Sequence, residues 1–151
     1  MADYDLQLKL PAQPRLLRCV RELLRVYLSE QGLEEDRICS IVLAVDEACS
    51  NAIKHSYGGA CERPLEISMH FGIEGLEVVI RDCGKPVTPE HTRPPKEQQV
   101  DIQSLRPGGL GLKVLYQVFD EVRYERNSEG GNRVVLRLRR EKRKGQSAPN
   151  Q

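Results

Sequence analysis

The stretch Val45-Asp46-Glu47-Ala48-Cys49-Ser50-Asn51-Ala52-Ile53-Lys54-His55 restricts what this chain can fold into. Glu47, Asn51 and His55 recur every fourth residue, which in a helix puts them on one stripe, each about 40° round from the last. A carboxylate, a carboxamide and an imidazole on one stripe are costly inside a core unless they meet partners. Val42, Val45, Cys49, Ala52 and Ile53 supply apolar surface to the opposite side. The helix is therefore expected to pack by one side and present a polar site by the other.

The remaining pattern predicts the layers around this helix. Tyr4, Leu6, Leu8 and Leu10 alternate with polar residues, as in a half-buried strand, and Pro11 and Pro14 end it. Pro14 suits the first turn of a helix from about 14 to 30, with Leu16, Leu17, Val20, Leu23, Leu24, Tyr27 and Leu28 on its apolar face. Arg18, Arg21 and Arg25 lie on its outer side, and Gly32 stops it. Glu34, Glu35 and Asp36 complement the dipole at the start of the second helix, which runs to about Tyr57. Leu65, Ile67, Met69 and Phe71, then Leu76, Val78 and Ile80, read as a hairpin between Gly72 and Gly75. A short helix over Leu112–Phe119 and a strand pair around Gly130-Gly131 follow.

The order β-α-α-β-β-loop-α-β-β does not alternate helices singly with strands, so parallel βαβ winding fits poorly. An α+β, two-layer sandwich is expected, with a mainly antiparallel sheet covered on one face by helices. Residues 85–107 hold five prolines and no clear period. A loop of that length in a compact domain is a functional lid or disordered. Residues 1–140 are read as a single domain and 141–151 as a flexible basic and polar tail.

Composition excludes several classes. With a net charge of +1, the chain as a whole does not advertise a nucleic-acid or membrane partner. The run Arg137, Arg139, Arg140, Lys142, Arg143, Lys144 is read as the wet side of an edge strand plus a solvated tail rather than a nucleic-acid patch. No apolar run approaches a membrane span, and the start MADYDLQLKL has no apolar h-region of a secretory signal. The five cysteines, at 19, 39, 49, 61 and 83, form no CxxC pair, so structural zinc is not expected. Reduced thiols in a cytoplasmic protein are the plain reading.

Three separated segments carry chemistry. Glu47 could take a proton from an attacking hydroxyl, and the carboxamide oxygen of Asn51, one turn on, could ligate Mg²⁺. Standing alone, the same face also reads as solvated polar surface. Asp82-Cys83-Gly84 ends a strand, where an Asp can accept from an exocyclic amine such as that of adenine and Gly84 lets backbone approach a base. By itself it also reads as an ordinary Asp-initiated turn. Gly108-Gly109-Leu110-Gly111 opens a helix whose N-terminus favours an anion, and Arg106 just before it could reach a phosphate. It is neither a P-loop nor a dinucleotide fingerprint.

Taken in order, Glu-x-x-x-Asn-Ala-x-x-His on a helix, strand-Asp-x-Gly-x-Pro, and Gly-x-Gly-Leu opening a helix resemble the GHKL ATPase superfamily. The ending Asp120-Glu121-Val122-Arg123-Tyr124-Glu125 with Gly130-Gly131-Asn132-Arg133 is similar to that of the bacterial anti-sigma-factor serine/threonine kinases, and the resemblance spans about residues 5–140. It implies a Bergerat ATP-binding fold with residues 87–107 as the lid. By motif match, Glu47 would be the catalytic base, Asn51 the Mg²⁺ ligand and Asp82 the adenine contact, with Gly84 beside it. Arg106, Gly108, Gly109, Leu110 and Gly111 would surround the phosphates, and His55 would support its box by hydrogen bonding. The implied activity is ATP-dependent phosphorylation of a Ser or Thr on a STAS-type anti-anti-sigma protein by a kinase that also binds a sigma factor, as a homodimer. The alternative is a nucleotide-binding partner-switch module without phosphotransfer. A histidine-kinase ATPase domain ranks third.

Overall fold

Period-two alternation in the strands builds one apolar sheet face, and the helices cover it. In the computed structural model, residues 3–93 and 111–141 are described. The strands are β1 (Leu6–Pro11), β2 (Pro64–Gly72), β3 (Gly75–Asp82), β4 (Glu121–Arg126) and β5 (Asn132–Arg139). The helices are α1 (Leu17–Glu30), α2 (Glu35–Asn51) and α3 (Gly111–Val118). The sheet runs β1-β2-β3-β5-β4, with every neighbouring pair antiparallel. The expected two-layer α+β sandwich is therefore observed.

Leu65, Ile67 and Met69 of β2, Leu76, Val78 and Ile80 of β3, and Val134, Leu136 and Leu138 of β5 are all buried. Against this face lie Leu17, Val20, Leu24 and Leu28, the i, i+3/i+4 stripe of α1. A 3-10 turn over Pro14–Leu16 leads into α1, so the expected helix start is split into two geometries. Helix α2 packs on both α1 and α3, and its buried residues (Ile38, Ile41, Val42, Ala44, Val45, Ala48, Cys49) span about half its circumference. What remains polar on α2 is thereby confined to its outer half.

One expectation needs correction. The arginine-bearing strand β5 is interior, between β3 and β4, and not an edge. Two of its arginines project from the sheet's open face into cross-strand ion pairs: Arg137 with Glu77 (2.8 Å) and Glu121 (3.2 Å), Arg133 with Glu125 (2.8 Å). The reason is topological. The β4–β5 hairpin closes locally, but the apolar face of β5 is completed only by also pairing with β3, which precedes it by about fifty residues. These two guanidinium groups are matched by carboxylates within the sheet.

Leu136 is fully buried in the central pair, whereas Ile73 at the β2–β3 turn is 93% exposed. Leu136→Ala should therefore cost about 2–5 kcal/mol in urea unfolding, and Ile73→Ser about 0.5 kcal/mol or less. Equal shifts from the two variants would contradict this core assignment.

Candidate nucleotide site

The site begins with a division between two adjacent carboxylates. Asp46 and Glu47 are separated by about 100° on α2. Asp46 faces α1, where Arg21 donates to it at 2.8 Å. Glu47 and Asn51 lie on the flank away from α1, half-buried, and neither side chain hydrogen-bonds with another described residue. Of two neighbouring acids, one is committed to holding the helix pair and the other has no hydrogen-bond partner among the described residues.

Past Asn51 the helix widens into a π turn over Ala52–Ser56. His55 therefore does not continue the 40° progression that a regular helix would give it. Its ring instead stacks on His91, with centroids 3.8 Å apart and planes 16° from parallel. His91 belongs to a 3-10 turn, Pro89–His91, at the root of the loop after β3. Burial, and then the charges of His91 and Lys54, push the His55 pKa down from its ordinary value. The expected supporting role of His55 is thus a stacking contact to the loop root in this structure. The same root is tied to α3, where the Tyr116 hydroxyl donates to the Thr92 carbonyl at 2.6 Å.

Asp82 ends β3 and is buried, with 4% exposure. Its Oδ1 accepts from the Gly84 amide (2.8 Å) and from the Asn132 side chain (2.9 Å). Gly84 sits where backbone meets backbone: a Cβ there would run into the Ser56 carbonyl and Cβ. The Lys85 amide donates to that same Ser56 carbonyl at 2.9 Å. Gly131, at φ +90°, presses as closely on the Asp82 carbonyl from the other side. The end of the α2 segment, the end of β3 and the start of β5 thus converge on a few ångströms of packed backbone.

The turn after Asp82 is fixed from outside as well. The Tyr57 hydroxyl accepts from the Cys83 amide (2.7 Å) and donates to the Pro64 carbonyl (2.5 Å). Arg63 donates to the Cys83 carbonyl and lies over the Tyr57 ring, 5.0 Å from its centroid. Cys83 itself is exposed, and all five cysteines are unpaired.

The end of the helical segment that carries Glu47, Asn51 and His55 therefore meets the Asp82/Gly84 turn, with Ser56 and Asn132 as the bridge. Gly111 opens α3, while Arg106, Gly108, Gly109 and Leu110 lie outside the described residues. Sequence reasoning gave no site role to Asn132, His91, Tyr116 or Tyr57. Asn132 was visible only as part of a motif; its neighbourhood to Asp82 depends on the β3–β5 register. No group of three or more His, Cys, Asp or Glu that could hold a metal occurs among the described residues. A cleft of about 830 Å³ lies at the other end of the sheet, among residues such as Ile73, Arg137 and Arg140, and includes none of these site residues.

Residues 10–138 match the histidine kinase-like ATPase domain family. This chain belongs to that family. It is 34% identical to the serine-protein kinase RsbW of Bacillus subtilis over 141 residues, covering 84% of this chain and 81% of that protein. The RsbW kinase of Oceanobacillus iheyensis is 30% identical over 142 residues, covering 90% and 87%. A solved structure of the RsbU and RsbW domains of a Mycobacterium tuberculosis protein superposes with a TM-score of 0.62 at 24% identity. It covers 90% of this chain, which spans 33% of that longer one, and it supports the shared fold. The chain is an ATP-using serine/threonine-protein kinase of GHKL type. No helix among the described residues is long and apolar enough to cross a membrane.

Two outcomes follow for the kinase. Gly84→Ala should cost about 1–3 kcal/mol of stability, because the obstacle is backbone and cannot swing aside, as urea unfolding would register. For His55 the folded-state pKa lies below the ordinary value of 6.5, so the native state takes up its proton later than the unfolded chain. Its contribution is intact above that value and is lost as pH falls through the window beneath it. An NMR titration should find the His55 ring titrating below 6.5 and moving upward in His91→Ala; an unchanged midpoint would show the stack to be absent in solution.

Proposed function

We propose that this kinase is an anti-sigma factor that transfers the γ-phosphoryl group of ATP to a Ser or Thr of a STAS-type anti-anti-sigma protein. In such a partner switch the kinase also binds a sigma factor, released when the unphosphorylated antagonist takes its place. The observation that carries the reading is the pairing of a half-buried Glu47/Asn51 flank, without hydrogen-bond partners among the described residues, with a buried, anchored Asp82 in one chain. The unit acts in the cytoplasm as a homodimer, with residues 1–140 as its catalytic domain and 141–151 as a tail.

The donor set suits Mg²⁺. Asn51 and Glu47 present hard oxygens one helical turn apart, and Mg²⁺ keeps most of its ligands as water and phosphate rather than needing a protein cage. Asn51 would hold the ion directly. Bound there, Mg²⁺ would supply charge neutralisation at the phosphate oxygens.

The residues of the chain divide the remaining work. Asp82 accepts from the adenine 6-amino group, and Gly84 leaves the backbone beside the base open. Arg106, Gly108, Gly109, Leu110 and Gly111 offer a guanidinium and backbone N–H groups to the phosphates. Glu47 accepts the proton of the acceptor hydroxyl as its oxygen bonds to the γ-phosphorus and the bond to the β,γ-bridging oxygen breaks, leaving ADP. Phosphoryl transfer needs positioning more than covalent help, so one base and one metal ligand on a rigid helix suffice.

Glu47→Gln keeps shape and hydrogen bonding but cannot take the proton. It should lower transfer to a STAS-domain protein about 10²–10⁴-fold while ATP·Mg²⁺ affinity measured by calorimetry stays near wild type. Transfer at the wild-type rate would remove Glu47 from the role of base. Transfer to no STAS protein, with ATP binding intact in the wild type, would leave the module without its phosphotransfer.

A further inference from the structure

Asn132 is buried to 5% exposure at the first position of β5, beside Asp82 in the register. Its Nδ2 faces three acceptors: the Lys85 carbonyl at 2.7 Å, Asp82 Oδ1 at 2.9 Å and the Ser56 hydroxyl at 3.0 Å. Its Oδ1 accepts from the Val87 amide at 3.3 Å. This fixes the amide orientation chemically. Reversed, its oxygen would face a carboxylate and a carbonyl, and its NH₂ would face an N–H.

The consequence falls on Asp82. One carboxylate oxygen, Oδ1, is held by two donors, the Gly84 amide and Asn132. The other, Oδ2, has no hydrogen-bond donor among the described residues. A carboxylate pinned at one oxygen by donors from two different elements has a fixed plane, so the second oxygen points in one direction. Gly84 alone, two residues along the same turn, would leave the side chain free to move with that turn.

We propose that Asn132 is a positioning residue for purine selectivity: it locks Asp82 so that Oδ2 is presented to a ligand N–H donor, and it ties that carboxylate to Lys85 and Val87 after β3 and to Ser56 after α2. The inference rests on the reading of Asp82 as the adenine contact. A site built to receive an amine discriminates strongly against an analogue lacking it, provided the acceptor is held in place. An acceptor free to rotate loses that discrimination without losing the ribose and phosphate contacts.

The test is calorimetry on the full chain with Mg²⁺, comparing ATP with purine riboside triphosphate, which carries hydrogen in place of the 6-amino group. Wild type should prefer ATP by about tenfold or more, the range of one hydrogen bond to a charged group. Asn132→Ala should reduce the preference to about threefold or less, with affinity for the amine-free analogue unchanged. Asn132→Leu, close in volume and without a donor, should do the same, and stands in should the alanine variant fail to fold. Full preference retained in either folded variant overturns the proposal. So does equal weakening of both nucleotides, which marks a merely structural residue. A different result, wild type without preference and Asp82→Ala without effect, would overturn the adenine reading itself.

Discussion

The antiparallel pairing of β5 with β3 is the constraint on which the site depends. It sets Asp82 opposite Asn132, and it places Gly131 against the Asp82 carbonyl where a side chain could not go. It also completes the apolar sheet face on which α1 and α2 settle. A slip of one residue would exchange the two faces of β5, sending Val134, Leu136 and Leu138 to the open side and Arg133, Arg137 and Arg139 into the core. Hydrophobic burial therefore fixes the register, and the register fixes the polar site at the strand ends. The site's precision is a by-product of core packing some ångströms away.

Helix α2 carries the second half of the arrangement by the same economy. Packed over half its circumference, it has little rotational freedom about its axis. Asp46 is held by Arg21 on one flank, and Glu47 and Asn51 are thereby fixed in direction on the other. The Arg21–Asp46 pair is half-exposed, so its direct energetic worth is small. Its structural effect is to separate the roles of two carboxylates that are neighbours in sequence.

Much of this was legible beforehand, for identifiable reasons. Alternation in β2, β3 and β5 and the i, i+3/i+4 stripe of α1 are local patterns, and local patterns give element type and the buried face. The Glu47/Asn51 stripe was legible because helix periodicity converts spacing directly into direction. The π turn was not, since widening of a helix by one residue leaves no signature in Ala52–Ser56. Nor was the interior position of β5. The chain meets β4 first, and a hairpin read locally suggests an edge where a long-range pairing intervenes. Asn132 was hidden for the same reason: its four partners lie at 56, 82, 85 and 87, none nearer than forty-five residues. His91 likewise has no local reason to meet His55.

The contacts that escaped the sequence share a location, and that location says something about how the kinase is built. Asn132 holds Lys85 and Val87; His55 holds His91; Tyr116 holds Thr92. The chain leaving β3 is thus fastened successively to β5, to the α2 segment and to α3, through separate side chains and one backbone bond, Lys85 to Ser56, rather than through a backbone ladder. Side-chain fastenings of this kind are individually weak, about 1 kcal/mol for a neutral hydrogen bond. They can open singly without disturbing the sheet, which a ladder cannot. Under the function proposed above, this segment admits and releases a nucleotide, which calls for low local stability next to a rigid carboxylate and a rigid helix. Fastening its root at separate points on three elements gives that combination, because the rigid parts hold one another through the core and the root holds to each of them only lightly.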